Sequence, residues 1–280
     1  MSDYSPETIT QFFDTMGMAE FERFDSSPVQ RIKYELHLRC LQQYVPRGAR
    51  VLEIGAGPGR FTEALAERDC RVVVNDLSPV QLELNEKRAR AHGYSGAVDR
   101  WLQADVCDLG ALDGESFDAI VAFGGPFSYV FERRDEALAQ CLALLDERGT
   151  LLLSVMSLWG TAHAFLQAVL SQSPELQAAV IRTGDITPST SPESAHHCHM
   201  FRPQELVTFL TDGGLEVVHL AASNALTTRW DDELVILQED PDAWERILDF
   251  EEDATRQPGN VGMGTHMIAV ARRPATRTAV

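Results

Sequence analysis

Three sets of residues have types and spacings that could do chemistry. The first is a glycine turn, Gly55-Ala56-Gly57-Pro58-Gly59, set between the apolar run VLEI (51–54) and a stretch of helical character. Glycines turn the backbone tightly and let a ligand approach with no Cβ in the way. The second set is acidic. Asp76 closes one short apolar run and Asp105 another; a carboxylate can accept from both hydroxyls of a ribose, or from an exocyclic amine such as that of adenine. Taken singly, each could instead cap a helix. Glu53, just before the turn, would repel a phosphate but suit a cationic group. The third set is histidine: His196, His197 and His199 around Cys198, and His266 at the head of a late apolar run. A neutral imidazole can serve as a general base near pH 7. No second ligand group at zinc spacing accompanies the histidine cluster, so no metal is expected there, and His199 is the member expected to reach a pocket.

These residues need a scaffold, and the chain supplies a repeating one. Short apolar runs at 51–55, 71–76, 100–105, 117–123 and 150–156 alternate with helical stretches at 61–68, 79–91 and 134–145. Continuous apolar strands alternating with helices predict a parallel sheet covered on both faces, in a doubly wound α/β layer. Two further runs, 215–222 and 265–273, add a final pair of strands at the sheet edge, the last of them antiparallel, for a seven-stranded, mostly parallel Rossmann-like sheet. Residues 1–48 read as helical, with Ser5-Pro6-Glu7 as a capped start and a second helix over 28–44. Residues 157–212 read as mostly helical around a polar loop at 183–199. The expected organisation is one domain: an N-terminal helical lid (1–48), a core (49–156), a helical insertion (157–212), the last strands with an acidic lid helix at 240–254 (213–272), and a tail (273–280).

The glycine spacing is G-x-G-x-G. A dinucleotide fingerprint would need glycine at position 60, where this chain has Arg60. A ribose, an adenine and a cationic amino-acid end, with no phosphate, describe S-adenosylmethionine. With VLEIGAGPGR (51–60), VNDLS (74–78), ADV (104–106), FDAIVAFGGPFSYV (117–130) and LDERGTLLLSV (145–155) in order, the chain resembles class I S-adenosylmethionine-dependent methyltransferases of the small-molecule type. The resemblance is close over roughly 48–156. It implies that Gly55, Ala56 and Gly57 face the methionine part of the cofactor with Glu53 beneath. It implies that Asp76 holds the ribose, that Leu77 packs on the adenine, and that Asp105 and Val106 contact the ring. The carbonyl of Phe123 would meet the cofactor's amino group.

The same resemblance places the acceptor above the ends of the fourth and fifth strands. Gly125 and Ser128 are then expected to bind substrate, with Asn224 at the end of a neighbouring strand. Tyr129, His199 and His266 are the candidate catalytic groups. The expected reaction is O- or N-methylation of a small molecule in an enclosed pocket. One alternative is a lyase or cyclase that displaces methylthioadenosine intramolecularly; another is a non-catalytic cofactor- or partner-binding module.

Composition bounds these readings. The chain has 280 residues, 44% of them hydrophobic, enough for a full core, and a net charge of −18. That charge argues against a polyanionic partner, nucleic acid or anionic membrane, which would need a cationic surface. Asp231 to Asp253 holds eleven acids and one base, Arg246, as a lid helix with a solvated face or as a field for a cationic acceptor. No signal sequence or membrane span is read. The five widely spaced cysteines contain no C-x-x-C pair, so a reduced, cytoplasmic protein is expected. A homodimer is compatible with this reading.

Overall fold

In the computed structural model, which describes residues 3–188, 190–191 and 196–275, the apolar runs become the strands of one sheet. The main strands are β1 (Arg50–Ile54), β2 (Arg71–Asp76), β3 (Val98–Gln103), β4 (Phe117–Ala122) and β5 (Leu145–Met156). A two-stranded hairpin follows, β6 (Asp185–Ile186) with β7 (Cys198–His199), then β8 (Glu216–Ala222) and β9 (His266–Arg272). The seven-stranded order is β3-β2-β1-β4-β5-β9-β8. The first five strands are parallel; β9 is antiparallel to both neighbours and wedges between β5 and β8. The order reverses between β1 and β4. Crevices at such a reversal, beyond the carboxyl ends of the strands, are where open α/β sheets bind ligands.

Alternation along each strand builds two cores. Leu52, Ile54, Val73, Ile120, Leu151, Leu153 and Met267 face one side. Val51, Val72, Val74, Val121, Leu152, Ile268 and Val270 face the other. Both faces are apolar because helices cover both. Two strand boundaries differ from the sequence reading: β5 begins at Leu145, not 150, directly after helix Arg134–Leu144. β3 spans Val98–Gln103, not 100–105, because its ladder with β2 ends at Asp76 opposite Gln103. Asp105 therefore sits in the turn beyond the strand.

The N-terminal segment forms helices Pro6–Met16, Ala19–Glu22 and Pro28–Tyr44. Ser5 and Ser27 cap the first and the last, each accepting an N–H two residues into the helix past a proline. Residues 276–280 of the tail, and 189 and 192–195 of the polar loop, lie outside the described residues. The five cysteines are all buried and unpaired. Among the described residues no helix is long and apolar enough to cross a membrane.

Candidate active site

At the end of β1 the chain turns at Gly55 with φ +62°. A Cβ there would lie 2.6 Å from Cγ of Pro126. The turns after β1 and β4 can therefore touch only with glycine at this position. Asp76, at the end of β2, is buried beside them. Its Oδ2 accepts the N–H of Gly57 at 2.8 Å, and its Oδ1 the N–H of Ser78, also at 2.8 Å. Burial pushes this carboxyl up, to about 6, against the pull of the backbone donors.

Over these turns opens a cavity whose empty space, the open mouth included, is about 870 Å³. Gly55, Ala56, Gly57, Asp76, Leu77, Asp105, Val106 and Phe123 all line it. Eight of the nine residues assigned to the cofactor thus meet in one place. Asp105 accepts the N–H of Cys107 at 2.8 Å and is bonded by the Tyr4 hydroxyl. Its turn-stabilising role coexists with its place in the wall.

The ninth, Glu53, sits beneath the turn, as the resemblance implies, and does not line the cavity. It is 2% exposed, lies beneath the turn and accepts from the Thr62 hydroxyl at 2.7 Å. Burial raises its pKa to about 8, so at pH 7 it is mostly a neutral acid. It braces helix Arg60–Ala66 instead of presenting a charge to a cationic group.

The roof comes from the N-terminal segment, where Tyr4, Ile9, Phe13, Glu20, Arg23 and Phe24 complete the wall. Sequence reasoning named a lid here but none of these residues. The lid is tied down at several points. Gln81 donates to the carbonyls of Phe13 and Gly17 at 2.7 and 3.2 Å. Ser78 donates to Asp14 at 2.5 Å. Arg60, the residue that departs from the dinucleotide pattern, pairs with Asp25 at 2.5 Å and stacks on Phe21 and Tyr34. Position 60 thus fastens the roof.

Of the expected acceptor-side residues only Tyr129 lines this cavity; Gly125, His266 and Asn224 do not. Gly125 turns the chain after β4 with φ +95°, and a Cβ on it would sit 3.8 Å from His266 Nε2, Met156 Cε and Tyr129 Cε2. Tyr129 lines the cavity, and its hydroxyl is 2.7 Å from His196 Nε2. Burial keeps the phenol protonated and lowers His196 to about 4. His266 is pushed well below its usual pKa by burial and by Arg23, His37, Lys33 and His196. It is neutral, but it holds a proton weakly. Asn224 is 1% exposed; its amide donates to Thr228 at 2.8 Å, while its Oδ1 has no hydrogen-bond partner.

Other expected site residues are placed differently. Ser128 is fully buried and accepts the N–H of Met156 at 2.9 Å, fixing β5 to the helix turn Pro126–Tyr129. It does not line the cavity. His199 is clamped between Asp185 (2.6 Å) and Glu205 (2.8 Å), with its ring edge-on to Phe201. Burial works against its protonation, but the two carboxylates outweigh that and raise its pKa. It fastens the β6–β7 hairpin to helix Pro203–Asp212, away from the cavity. The composition of that loop carried no information on which histidine turns inward; His196 does.

The acidic helix, Pro241–Thr255, is not a roof over the cavity. Leu248, Trp244 and Ile247 pack it against Val29, Ile32 and Leu36 of helix Pro28–Tyr44. Glu245, Asp249 and Glu252 all pair with Arg39. Glu251 is fully buried and accepts the backbone N–H groups of Ala225, Leu226 and Thr227. These four acids are spent on the protein itself.

Comparison with known proteins bears on this geometry. Residues 51–149 match the model of a methyltransferase domain family. The chain is 32% identical over 189 residues to the ubiquinone biosynthesis O-methyltransferase of Xylella fastidiosa, covering 65% of this chain and 67% of that protein. It is 30% identical over 177 residues to the protein of the same name from Xanthomonas axonopodis pv. citri, covering 61% of this chain. That match spans 64% of the Xanthomonas protein's length. In fold it is similar to magnesium protoporphyrin IX methyltransferase from Synechocystis PCC 6803, solved with bound SAH. The TM-score is 0.58 at 12% identity, over 96% of this chain and 99% of that one. With the ordered motifs, the sheet order and the cavity at its reversal point, these matches identify the chain as a member of the class I S-adenosylmethionine-dependent methyltransferases.

Proposed function

We propose that the protein transfers a methyl group from S-adenosylmethionine to a small-molecule acceptor, at oxygen or nitrogen. The observation that carries this is the Asp76 carboxylate. It is fixed by two backbone donors at the end of β2, in a cavity opened by the Gly55–Gly57 turn. Two acceptor oxygens held rigid in a half-apolar cavity suit a vicinal diol. Leu77 and Val106 supply apolar surface for a flat ring, and Asp105 an acceptor for its amine. Gly55, Ala56 and Gly57 leave room for the amino-acid arm near the Phe123 carbonyl. The cofactor supplies an electrophilic methyl on a sulfonium, and the protein's work is positioning in a space screened from water.

On the acceptor side, Gly125 leaves space between Tyr129 and His266. With a weakly basic imidazole there, His266 fits the role of a hydrogen-bond acceptor that orients the incoming group better than that of a proton store. Tyr129 is committed to His196 and shapes the wall. Asn224 keeps one hydrogen-bonding position for the acceptor. The names of the relatives favour oxygen over nitrogen as the methylated atom.

Calorimetric titration with S-adenosylhomocysteine tests the cofactor half. Asp76→Asn is expected to weaken binding by at least about tenfold, the loss of one good charge-assisted hydrogen bond. Unchanged affinity would overturn the assignment. Incubation with S-adenosylmethionine and a small-molecule extract tests the reaction. S-adenosylhomocysteine should accumulate with a methylated acceptor; methylthioadenosine formed without an acceptor would refute methyl transfer.

A further inference from the structure

Between β5 and β6 the chain forms three short helices, Leu158–Ala164, Leu166–Leu170 and Pro174–Thr183. The second and third, of 5 and 10 residues, contain no buried residue. Helices this short are marginal by themselves and take their stability from packing an apolar face. That packing is incomplete within the chain: Leu166, Leu170 and Ile181 remain 48–66% exposed. With Trp159 and Phe165, 46% and 57% exposed, they line one broad groove.

A second exposed apolar region shows what is unusual about this one. Leu226, Trp230, Val235, Ile236 and Phe250 are exposed too, but they lie in or beside the acidic run Asp231–Asp253. Charge of one sign interspersed among apolar side chains keeps such a surface solvated and holds other chains off. The groove lacks that protection. From Leu158 to Ile181 the chain holds one charged residue, Glu175, in a molecule of net charge −18. None of the residues lining the groove is Asp, Glu, Lys or Arg. Contiguous exposed apolar surface of this kind marks an interaction site.

Charge also selects the occupant. An anionic membrane is repelled by the chain as a whole. A protein recognised through its charge finds no complementary group in the groove. Two copies of this chain repel where acidic surfaces face one another, and this face lets them meet without setting acid against acid. It is self-complementary in shape as well. Phe165 and Leu170, 57% and 66% exposed, stand at the edge of an apolar groove. Under a two-fold axis each copy's projecting side chains enter the groove of the other.

We propose that the protein forms a two-fold homodimer through the Leu158–Ile181 face, with the groove of each copy filled by the partner. Sedimentation velocity from about 1 to about 100 μM protein tests it. Wild type is expected to pass from monomer to dimer within that range. The emission of Trp159, isolated by difference from Trp159→Phe, should shift to the blue in step. Leu170→Glu sets two acids against each other across the axis and should weaken pairing at least about tenfold. S-adenosylhomocysteine affinity should be unchanged in that variant, which reports an intact fold; Phe165→Ser serves as a second, uncharged disruption. Ile236→Glu, on the acid-flanked surface, should leave pairing unchanged. Wild type that stays monomeric throughout would overturn the proposal. So would a dimer undiminished in both Leu170→Glu and Phe165→Ser, or one weakened equally by Ile236→Glu. A monomer whose Trp159 shifts only on adding 1-decanol would make the groove a hydrocarbon site instead, and would overturn it as well.

Discussion

Arg39 and Lys33 sit on the same helix and are both cations, yet their surroundings are opposite. Arg39 lies toward solvent with Glu245, Asp249 and Glu252 gathered round it. Lys33 lies inward, 8% exposed, with no carboxylate at ion-pair distance among the described residues. The helix divides a surface where charge is satisfied by the chain from an interior where it is not. Exposed pairs contribute little individually because water already solvates them. The unpaired interior charge is the costly one.

This contrast can be broken or sharpened experimentally. The largest effect is expected at Glu251, which lies inward like Lys33 but is fully partnered. Glu251→Gln turns an acceptor that serves three backbone donors into a half-mismatched amide. It should cost about 3 kcal/mol, read as a lower denaturation midpoint. A negligible loss would mean that burial alone, not partnership, separates the two environments.

Lys33→Met should do the reverse and stabilise the free protein. Burial and the nearby Arg23 depress the lysine's pKa from 10.5 to about 8, worth about 3 kcal/mol. Below pH 8 both folded and unfolded chains hold the proton, and the full penalty applies. Between pH 8 and 10.5 the unfolded chain binds a proton that the folded one has released, so wild type gains on the variant as pH rises. Denaturation at pH 7.5 and 10.5 should therefore show the variant's advantage at the lower pH and its fading at the higher. Equal offsets at both would show that Lys33 is solvated.

The smallest effect is expected at Arg39. Arg39→Gln should cost about 1 kcal/mol at low salt and less at 1 M, as screening weakens an exposed network. A loss of several kcal/mol, independent of salt, would place that network in the core.

How much of this the sequence discloses follows from how local each feature is. The glycine turn, Asp76, Leu77 and Val106 are set by short-range chemistry at strand ends, and pattern and place agree. β9 is read to within a residue because its apolar run persists to its ends, whereas β5 begins at Leu145, ahead of its apolar run at 150–156, where Asp146, Glu147 and Arg148 hide it. Glu53 misleads because residue type does not reveal that it faces Thr62 below the turn. Ser128 and His199 mislead for the same reason: each is polar, near the right strand end, and spent on backbone or carboxylate partners. Tyr4, Glu20 and Arg23 reach the cavity only through the folding-back of the N-terminal segment, which no local spacing encodes. Lys33 and His37 did leave a signal. They are polar residues at positions i and i+4 on a helix face otherwise formed by Val29, Ile32, Leu36 and Cys40, a break in amphipathicity with no cap or turn to explain it.

The insertion of β9 between β5 and β8 has a temporal side. His266 opens the strand that completes the sheet, and its partners in the site come from residue 23 onward. During synthesis the glycine turn, Asp76 and β4 leave the ribosome early and can pair as a local, parallel unit. β8 joins the sheet only through β9, so the sheet cannot extend past β5 until residues 266–272 emerge. Such long-range pairing is the slow part of folding. A nascent chain stalled before residue 266 would hold the glycine turn and Asp76 without β9, leaving the β5 edge exposed to aggregation.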